Sequence, residues 1–170
     1  YTIGTGIGVG VYAEGKMVHG LVHPEGGHVL TRRHPDDRFE GFCPYHGDCL
    51  EGMAAGPALE KRWNMKGKDI PADHPAWAIE AFYIGQAVAG TILLLSPKKV
   101  ILGGGVMHQR QLLPLIRAEV QKNLNGYVSA DALRDGIDAL ALRGTREGEH
   151  PVLVAGDREA LAASELAEEP

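Results

Sequence analysis

The chain carries no surplus of positive charge. Its 17 Lys and Arg face 22 Asp and Glu, for a net charge of −5, so it lacks the electrostatic footprint of a nucleic-acid-binding surface, and an acidic substrate has to meet local groups instead of a general field. Long apolar runs are missing too. The densest cluster is Ile92 to Leu95, and no secretory leader is visible, so no membrane segment is expected and a cytoplasmic location is the default. There is no internal repeat, and no low-complexity stretch beyond the acidic end. The chain opens on Tyr1 without a methionine, straight into Thr-Ile-Gly-Thr-Gly-Ile-Gly-Val-Gly-Val, as if entered in the middle of a sheet; a fragment or single domain of a longer protein is expected. With 170 residues, 44% of them hydrophobic, the chain can bury one sizeable core. Cysteine is limited to two residues, Cys43 and Cys49, both inside one short loop.

That loop is the most informative stretch. Cys43, His46 and Cys49 follow one another as C-x2-H-x2-C, a spacing that lets a short loop wrap one ion with soft and borderline ligands. A structural zinc takes four ligands, and His28, after the two glycines of Glu25-Gly-Gly-His, is the candidate for the fourth. Two alternatives stand beside zinc: a pair of buried, unligated cysteines among eight histidines, and a Cys43–Cys49 disulfide, ranked lower because nothing points to an oxidising compartment. Glu25 and His28 lie three apart and share a face if the segment turns helically. A carboxylate and an imidazole so placed suit a polyhydroxylated ligand.

Along the chain, residues 1–18 read as two or three short antiparallel strands with a turn at Glu14-Gly15. Gly4, Gly6, Gly8 and Gly10 alternate, which on a strand strips one face, and with Thr5 the loop could hold phosphate oxygens. Residues 31–40 are polar and read as a solvated excursion, with His34 on the surface. One or two short helices follow Glu51, with Pro57 in a first turn. A loop spans 67–75, and the strongest helix runs over 75–95, with Trp77, Ala81, Ile84, Val88, Ile92 and Leu95 along one face. Lys99 to Leu102 is a buried parallel strand. It ends in Gly103-Gly-Gly105-Val-Met107 before a helix from about Arg110 to Leu124, the strand–glycine turn–helix arrangement beside which nucleotides lie. Tyr127-Val128 and residues 137–142 read as edge strands, 144–150 as a charged turn, 152–154 as a strand and 156–167 as a helix.

Four stretches, Thr2 to Gly10, Glu25 to His28, Cys43 to Glu51 and Ile101 to Met107, together resemble the ROK family of sugar kinases and sugar-responsive repressors, and within it the bacterial fructokinases. The family's more usual zinc loop is C-x-C-G-x2-G-C-x-E; the Cys-Pro-Tyr-His-Gly-Asp-Cys form here is similar to the fructokinase branch. The resemblance implies an α/β fold, one lobe of a ribonuclease H-like, actin-like ATPase (hexokinase-type) architecture: a mixed sheet flanked by helices, with a zinc loop over 28–49. Residues 1–170 would be the carboxy-terminal lobe of a two-lobe kinase, with the amino-terminal lobe, its phosphate loop and the catalytic aspartate absent, so that the chain alone is inactive. It further implies ATP-dependent phosphorylation of fructose to fructose 6-phosphate with Mg²⁺, and a homodimer. Gly4, Thr5 and Gly6 would contact phosphate, Gly103, Gly104, Gly105, Val106 and Met107 the adenosine, and Pro57 would line the nucleotide. Glu25 and His28 would face sugar hydroxyls, with Glu51 supporting them, while His28, Cys43, His46 and Cys49 would hold zinc. Arg158 and Glu159 depart from the small residues usual after Gly156-Asp157. The alternative is a sugar-sensing ROK repressor lobe without its helix-turn-helix.

Overall fold

The computed structural model describes residues 1–128 and the backbone of one further strand, 137–139. The chain begins with two hairpins. Strand β1 (Thr2–Ile3) pairs antiparallel with β2 (Ile7–Gly8), placing Thr2 opposite Gly8. Strand β3 (Tyr12–Ala13) pairs with β4 (Lys16–Met17) around Glu14-Gly15, both at positive φ. After the two cysteines come the short helices α1 (Leu50–Ala54) and α2 (Gly56–Trp63), the latter with proline in its first turn and Asn64 in the left-handed conformation at its end. The long helix α3 (Ala76–Leu95) closes on Ser96, also left-handed, before Pro97. Strand β5 (Val100–Leu102), helix α4 (Leu112–Leu124) and strand β6 (Ile137–Ala139) complete the described order, and β5 and β6 run parallel.

The first hairpin joins this parallel pair. Thr2 bridges Gly103 in parallel, the Ile3 amide donates to the Gly103 carbonyl at 2.7 Å, and the Gly103 amide donates back to Tyr1 at 2.8 Å. Antiparallel β1–β2 and parallel β1–β5–β6 therefore make one mixed arrangement. Gly104, at φ +93°, lies so near β1 that a Cβ there would sit 2.5 Å from the Ile3 carbonyl oxygen, so this glycine is required by the strand beside it.

The core lies between these strands and the α3–α4 pair. On α3, Trp77, Ala81, Ile84 and Val88 are buried; on α4, Leu112, Ile116, Val120 and Leu124 recur every fourth residue and are buried as well. Burying each large apolar side chain is worth roughly 1.5–3 kcal/mol, and this stripe is what fixes the two helices together.

Several expectations change. Gly4 and Gly6 lie in the turn between β1 and β2, so the alternating glycines do not line one strand face. Tyr127-Val128 is not a strand: the Tyr127 amide turns back to the Leu124 carbonyl at 2.8 Å, and the Tyr127 side chain is exposed. By length and composition alone α3 could cross a bilayer, with a mean hydropathy of 1.6 over an 18-residue window, because Leu93 to Leu95 extend the apolar sequence past its buried part. The expectation that no run was long enough is corrected accordingly. The readings of 144–150, 152–154 and 156–167 lie outside the described residues.

Candidate metal centre and adjoining glycine cluster

The cysteine loop is a tight reversal. Cys43 and Gly47 exchange amide hydrogen bonds at 3.2 and 3.0 Å, Gly47 has φ +65°, and Cys49 sits at the start of α1. Residues after His28 run antiparallel to the loop's exit: Leu30 bridges Cys49, and the Leu50 amide donates to the Val29 carbonyl at 2.9 Å. His28 itself comes from a single 3₁₀ turn, Gly26–His28. Gly27 in that turn is packed against the Ile7 carbonyl so closely that no Cβ fits, and this contact brings the turn onto β2.

The result is a convergence. His28 Nδ1 lies 3.5 Å from Cys49 Sγ and 3.7 Å from Cys43 Sγ, and His46 Nδ1 lies 3.8 Å from Cys43 Sγ. All four potential ligand atoms fall within 4.8 Å of one another. A tetrahedron with Zn–S near 2.3 Å and Zn–N near 2.05 Å has edges of roughly 3.3–3.8 Å; the three separations above match it and the widest would have to close by about an ångström, so the donor set suits zinc. Both sulfurs are buried and His46 is exposed. Burial pushes the Cys43 thiol up, but the amides of His46 and Tyr45 and the Cys49 side chain, all directed at the sulfur, together leave it below its ordinary value. Burial holds Cys49 above its ordinary value. One sulfur is thus already biased toward thiolate, the form that binds metal.

The predicted sugar-facing residues divide. Glu25 opens the 3₁₀ turn three residues before His28, so the two share its face, and its exposed carboxylate pairs with His23 at 2.7 Å. Because His28 turns Nδ1 to the sulfurs, Nε2 is left for another partner. Glu51 points instead to β2, accepting the Ile7 amide at 2.9 Å. Ile7 is therefore a junction, its amide on Glu51 and its carbonyl against Gly27.

The predicted nucleotide-facing residues form a second cluster. The Gly4 carbonyl accepts the Gly56 amide at 2.7 Å, which sets the Gly4-Thr5-Gly6 turn over the start of α2 beside Pro57, with Thr5 exposed. A Cβ on Gly56 would touch Val106 at 4.0 Å. Val106 and Met107 bury their side chains in the core, while Gly105 is exposed, so only main chain and Gly105 face outward there.

Sequence reasoning missed a buried charged group. Residues 31–40 are not simply a solvated excursion, because Asp37 is buried, pairs with Arg62 at 3.1 Å and accepts the Tyr83 hydroxyl at 2.8 Å. His34 is half-buried, its ring edge-on to Phe82. Burial, with Asp37 opposite, pushes the Tyr83 hydroxyl up to about 12. Glu80 nearby is fully buried and both its oxygens lack a hydrogen-bond partner among the described residues. The isolated Phe39 between charged residues was the available signal, for it packs against the core with Arg62 over its ring.

Comparison with known proteins bears on family and fold. The ROK family model matches residues 1–141. A Bacillus subtilis (strain 168) protein provisionally named fructokinase is 53% identical over 136 residues, covering 80% of this chain and 46% of its own length. The fructokinase of Pediococcus pentosaceus is 49% identical over 136 residues, covering 80% and 47%. The chain spans about half the length of the curated relatives it matches. Among solved structures, a ROK family glucokinase from Streptomyces griseus in complex with glucose and AMPPNP superposes with a TM-score of 0.58 at 23% identity, over 82% of this chain and 53% of that one. A ROK family transcriptional regulator, a homologue of the E. coli MLC protein, gives 0.55 at 19% identity, over 82% and 40%. These likenesses show the actin-like ATPase fold of the structural neighbours, a mixed sheet with helices. A family match over most of the chain, with relatives at about half identity and this fold, establishes that the chain belongs to the ROK family.

Proposed function

We propose that residues 1–170 form the carboxy-terminal lobe of an ATP-dependent fructokinase, cytoplasmic and paired as a homodimer, whose zinc loop builds the sugar-facing side of the cleft. The observation that carries this reading is the convergence of His28, Cys43, His46 and Cys49 on one point, with Glu25 on the same turn. Zinc held there would fix the His28 ring and leave its second nitrogen, with the Glu25 carboxylate, to meet sugar hydroxyls. Glu51 supports the pair indirectly, by holding the Ile7 amide and so the strand on which Gly27 rests.

Nucleotide would lie along Gly4, Thr5, Gly6 and Pro57 on one side and Gly103 to Met107 on the other. Exposed amides of the first turn suit phosphate oxygens, and the open main chain at Gly105 suits a flat base. Mg²⁺ would arrive on the nucleotide and neutralise the transferred phosphoryl group. No residue of this chain is assigned as the base that accepts the sugar hydroxyl's proton. Relatives named fructokinase support the sugar class, and the Streptomyces glucokinase supports the pairing of a hexose with an adenine nucleotide. The repressor reading is supported by likeness of fold alone.

The test is phosphate transfer from ATP to fructose, glucose and mannose by the full-length protein, with metal content measured in the same preparation. We expect fructose to be preferred at least tenfold in kcat/KM, with about one zinc per chain. Transfer to no hexose sinks the kinase reading; metal-free protein with two freely reactive thiols sinks the zinc centre and leaves the kinase standing.

A further inference from the structure

A further cleft is lined by residues that have no part in the proposed catalysis. It lies between the segment that follows His28 and the last turns of α4, with a volume of about 510 Å³, well inside the range of small-molecule pockets. Three basic side chains line it, Arg32, Arg33 and Lys122, together with the amides of Asn123 and Asn125 and the ring of Phe82. In a chain of net charge −5 this is a local reversal of sign. Glu119 also lines the cleft but is paired with Lys122 at 3.2 Å, and Arg33 is paired with Asp48 at 3.4 Å. Counting both carboxylates, the cleft still keeps one uncompensated cation, Arg32.

Arg32 is held ready by its main chain. Its amide donates to Gln86 Oε1 at 2.9 Å and its carbonyl accepts from Gln86 Nε2 at 3.1 Å, while its exposed guanidinium has no partner among the described residues. Phe82 offers a rigid apolar face, its ring wedged edge-on between His34 and Tyr83 at 4.8 and 5.4 Å. Planar guanidinium forks match phosphate oxygens, side-chain amides match hydroxyls, and an aromatic ring packs on the apolar face of a sugar ring. Arg32 is the cation a phosphate would take unshared, and the N–H groups that Arg33 and Lys122 do not turn to Asp48, the Phe39 carbonyl and Glu119 would meet its remaining oxygens.

We propose that this cleft binds a sugar phosphate, with the phosphate on Arg32, Arg33 and Lys122 and the sugar against Phe82 and the two asparagines. The test titrates the full chain, labelled with ¹⁵N at asparagine side chains, with glucose 6-phosphate, glucose and inorganic phosphate at constant ionic strength. Glucose 6-phosphate is not the product of fructose phosphorylation, and the Asn123 and Asn125 amides, which line this cleft and not the sugar-facing side, tell binding here from binding at the reaction site. We expect saturable shifts of the Asn123 and Asn125 amides with glucose 6-phosphate, and at least tenfold weaker binding in Arg32→Ala/Lys122→Ala. Arg32→Glu should abolish the shifts, and as both side chains are exposed melting followed by circular dichroism should match wild type. Unmoved amides, or undiminished binding in either variant, would overturn the proposal. Equal affinity for inorganic phosphate would overturn its sugar half, leaving a site for the free ion.

Discussion

Glu80 is a carboxyl group without a hydrogen-bond partner among the described residues. It is fully buried on α3, and burial holds its pKa well above the usual carboxylate range, against a smaller opposing pull from Arg62. The native state therefore keeps a proton that the unfolded chain, with a pKa near 4.3, releases. A raised folded pKa gives a contribution to stability that is complete below the unfolded value and is lost as pH rises toward the folded one. Each pH unit in that window is worth about 1.4 kcal/mol. Glu80→Gln, neutral throughout, should match wild type near pH 4 and gain on it steadily at higher pH in urea midpoints; parallel pH profiles would show that Glu80 is ionised in the native state. Asp37 poses the opposite case, since Asp37→Ala strands the buried Arg62 guanidinium and should cost about 3–5 kcal/mol in denaturant unfolding. A loss below 1 kcal/mol would mean that water reaches Arg62. Neither role was legible from sequence: Asp37 lies in a run of charges, and its partners Arg62 and Tyr83 are on different helices far along the chain.

The α3–α4 pair is where the elements press hardest on one another. A Cβ at Gly85 would sit 2.6 Å from the Glu119 Cβ and 3.4 Å from the Val120 amide nitrogen, whereas nothing lies within 4 Å of a Cβ at Gly90 on the same helix. Gly85→Ala should therefore push the helices apart and destabilise by about 1–3 kcal/mol. Gly90→Ala, exposed and in helical conformation, should stabilise by roughly 0.5–1 kcal/mol through propensity alone. Thermal or urea unfolding of the two variants should move in opposite directions; a shared sign would mean that propensity, not the crossing, decides at Gly85. Both helices were readable from their apolar spacing, because a stripe facing the core is imposed by the 3.6-residue period. Antiparallel strands over 1–18 were readable too, but the place of the β1–β2 turn was not. That turn falls within the alternating glycines, and alternation looks the same whether a chain runs on or folds back; the pairing of Ile3 with Ile7 and the Gly4 amide on the Gly6 carbonyl show where it reverses.

Across the whole molecule the four candidate ligands add a second tie between stretches that the core already joins through Ile7, Leu50 and Met53. His28 rests on β2 through Gly27, Cys43 and Cys49 lead into α1, and Glu51 returns from α1 to β2, so an ion at their centre would close a circuit through the sugar-facing and nucleotide-facing clusters. The ligand spacing was legible because metal chemistry confines it to one short loop, and the fourth ligand because glycines precede it. The link through Ile7 was not, since a main-chain contact leaves no mark on side-chain pattern. The apolar core does not depend on the ion, since one buried cluster runs from Ile7, Leu50 and Met53 to the α3–α4 stripe, and this decides what metal removal should do. With free zinc at about a thousand times its dissociation constant the folded state gains about 4 kcal/mol, and for a chain of this size that corresponds to roughly 8–16 °C in melting temperature. Chelation should therefore lower the melting temperature by that amount and expose both thiols to reagent, while the helical circular dichroism at room temperature persists because the buried cluster from Ile7 and Leu50 to α3 and α4 holds the helices without the ion. Cys49→Ala should reproduce the chelated state and respond no further to chelator. Loss of helical signal on chelation would show instead that the metal nucleates the whole fold, and an unchanged melting temperature would show that the four side chains converge without holding an ion.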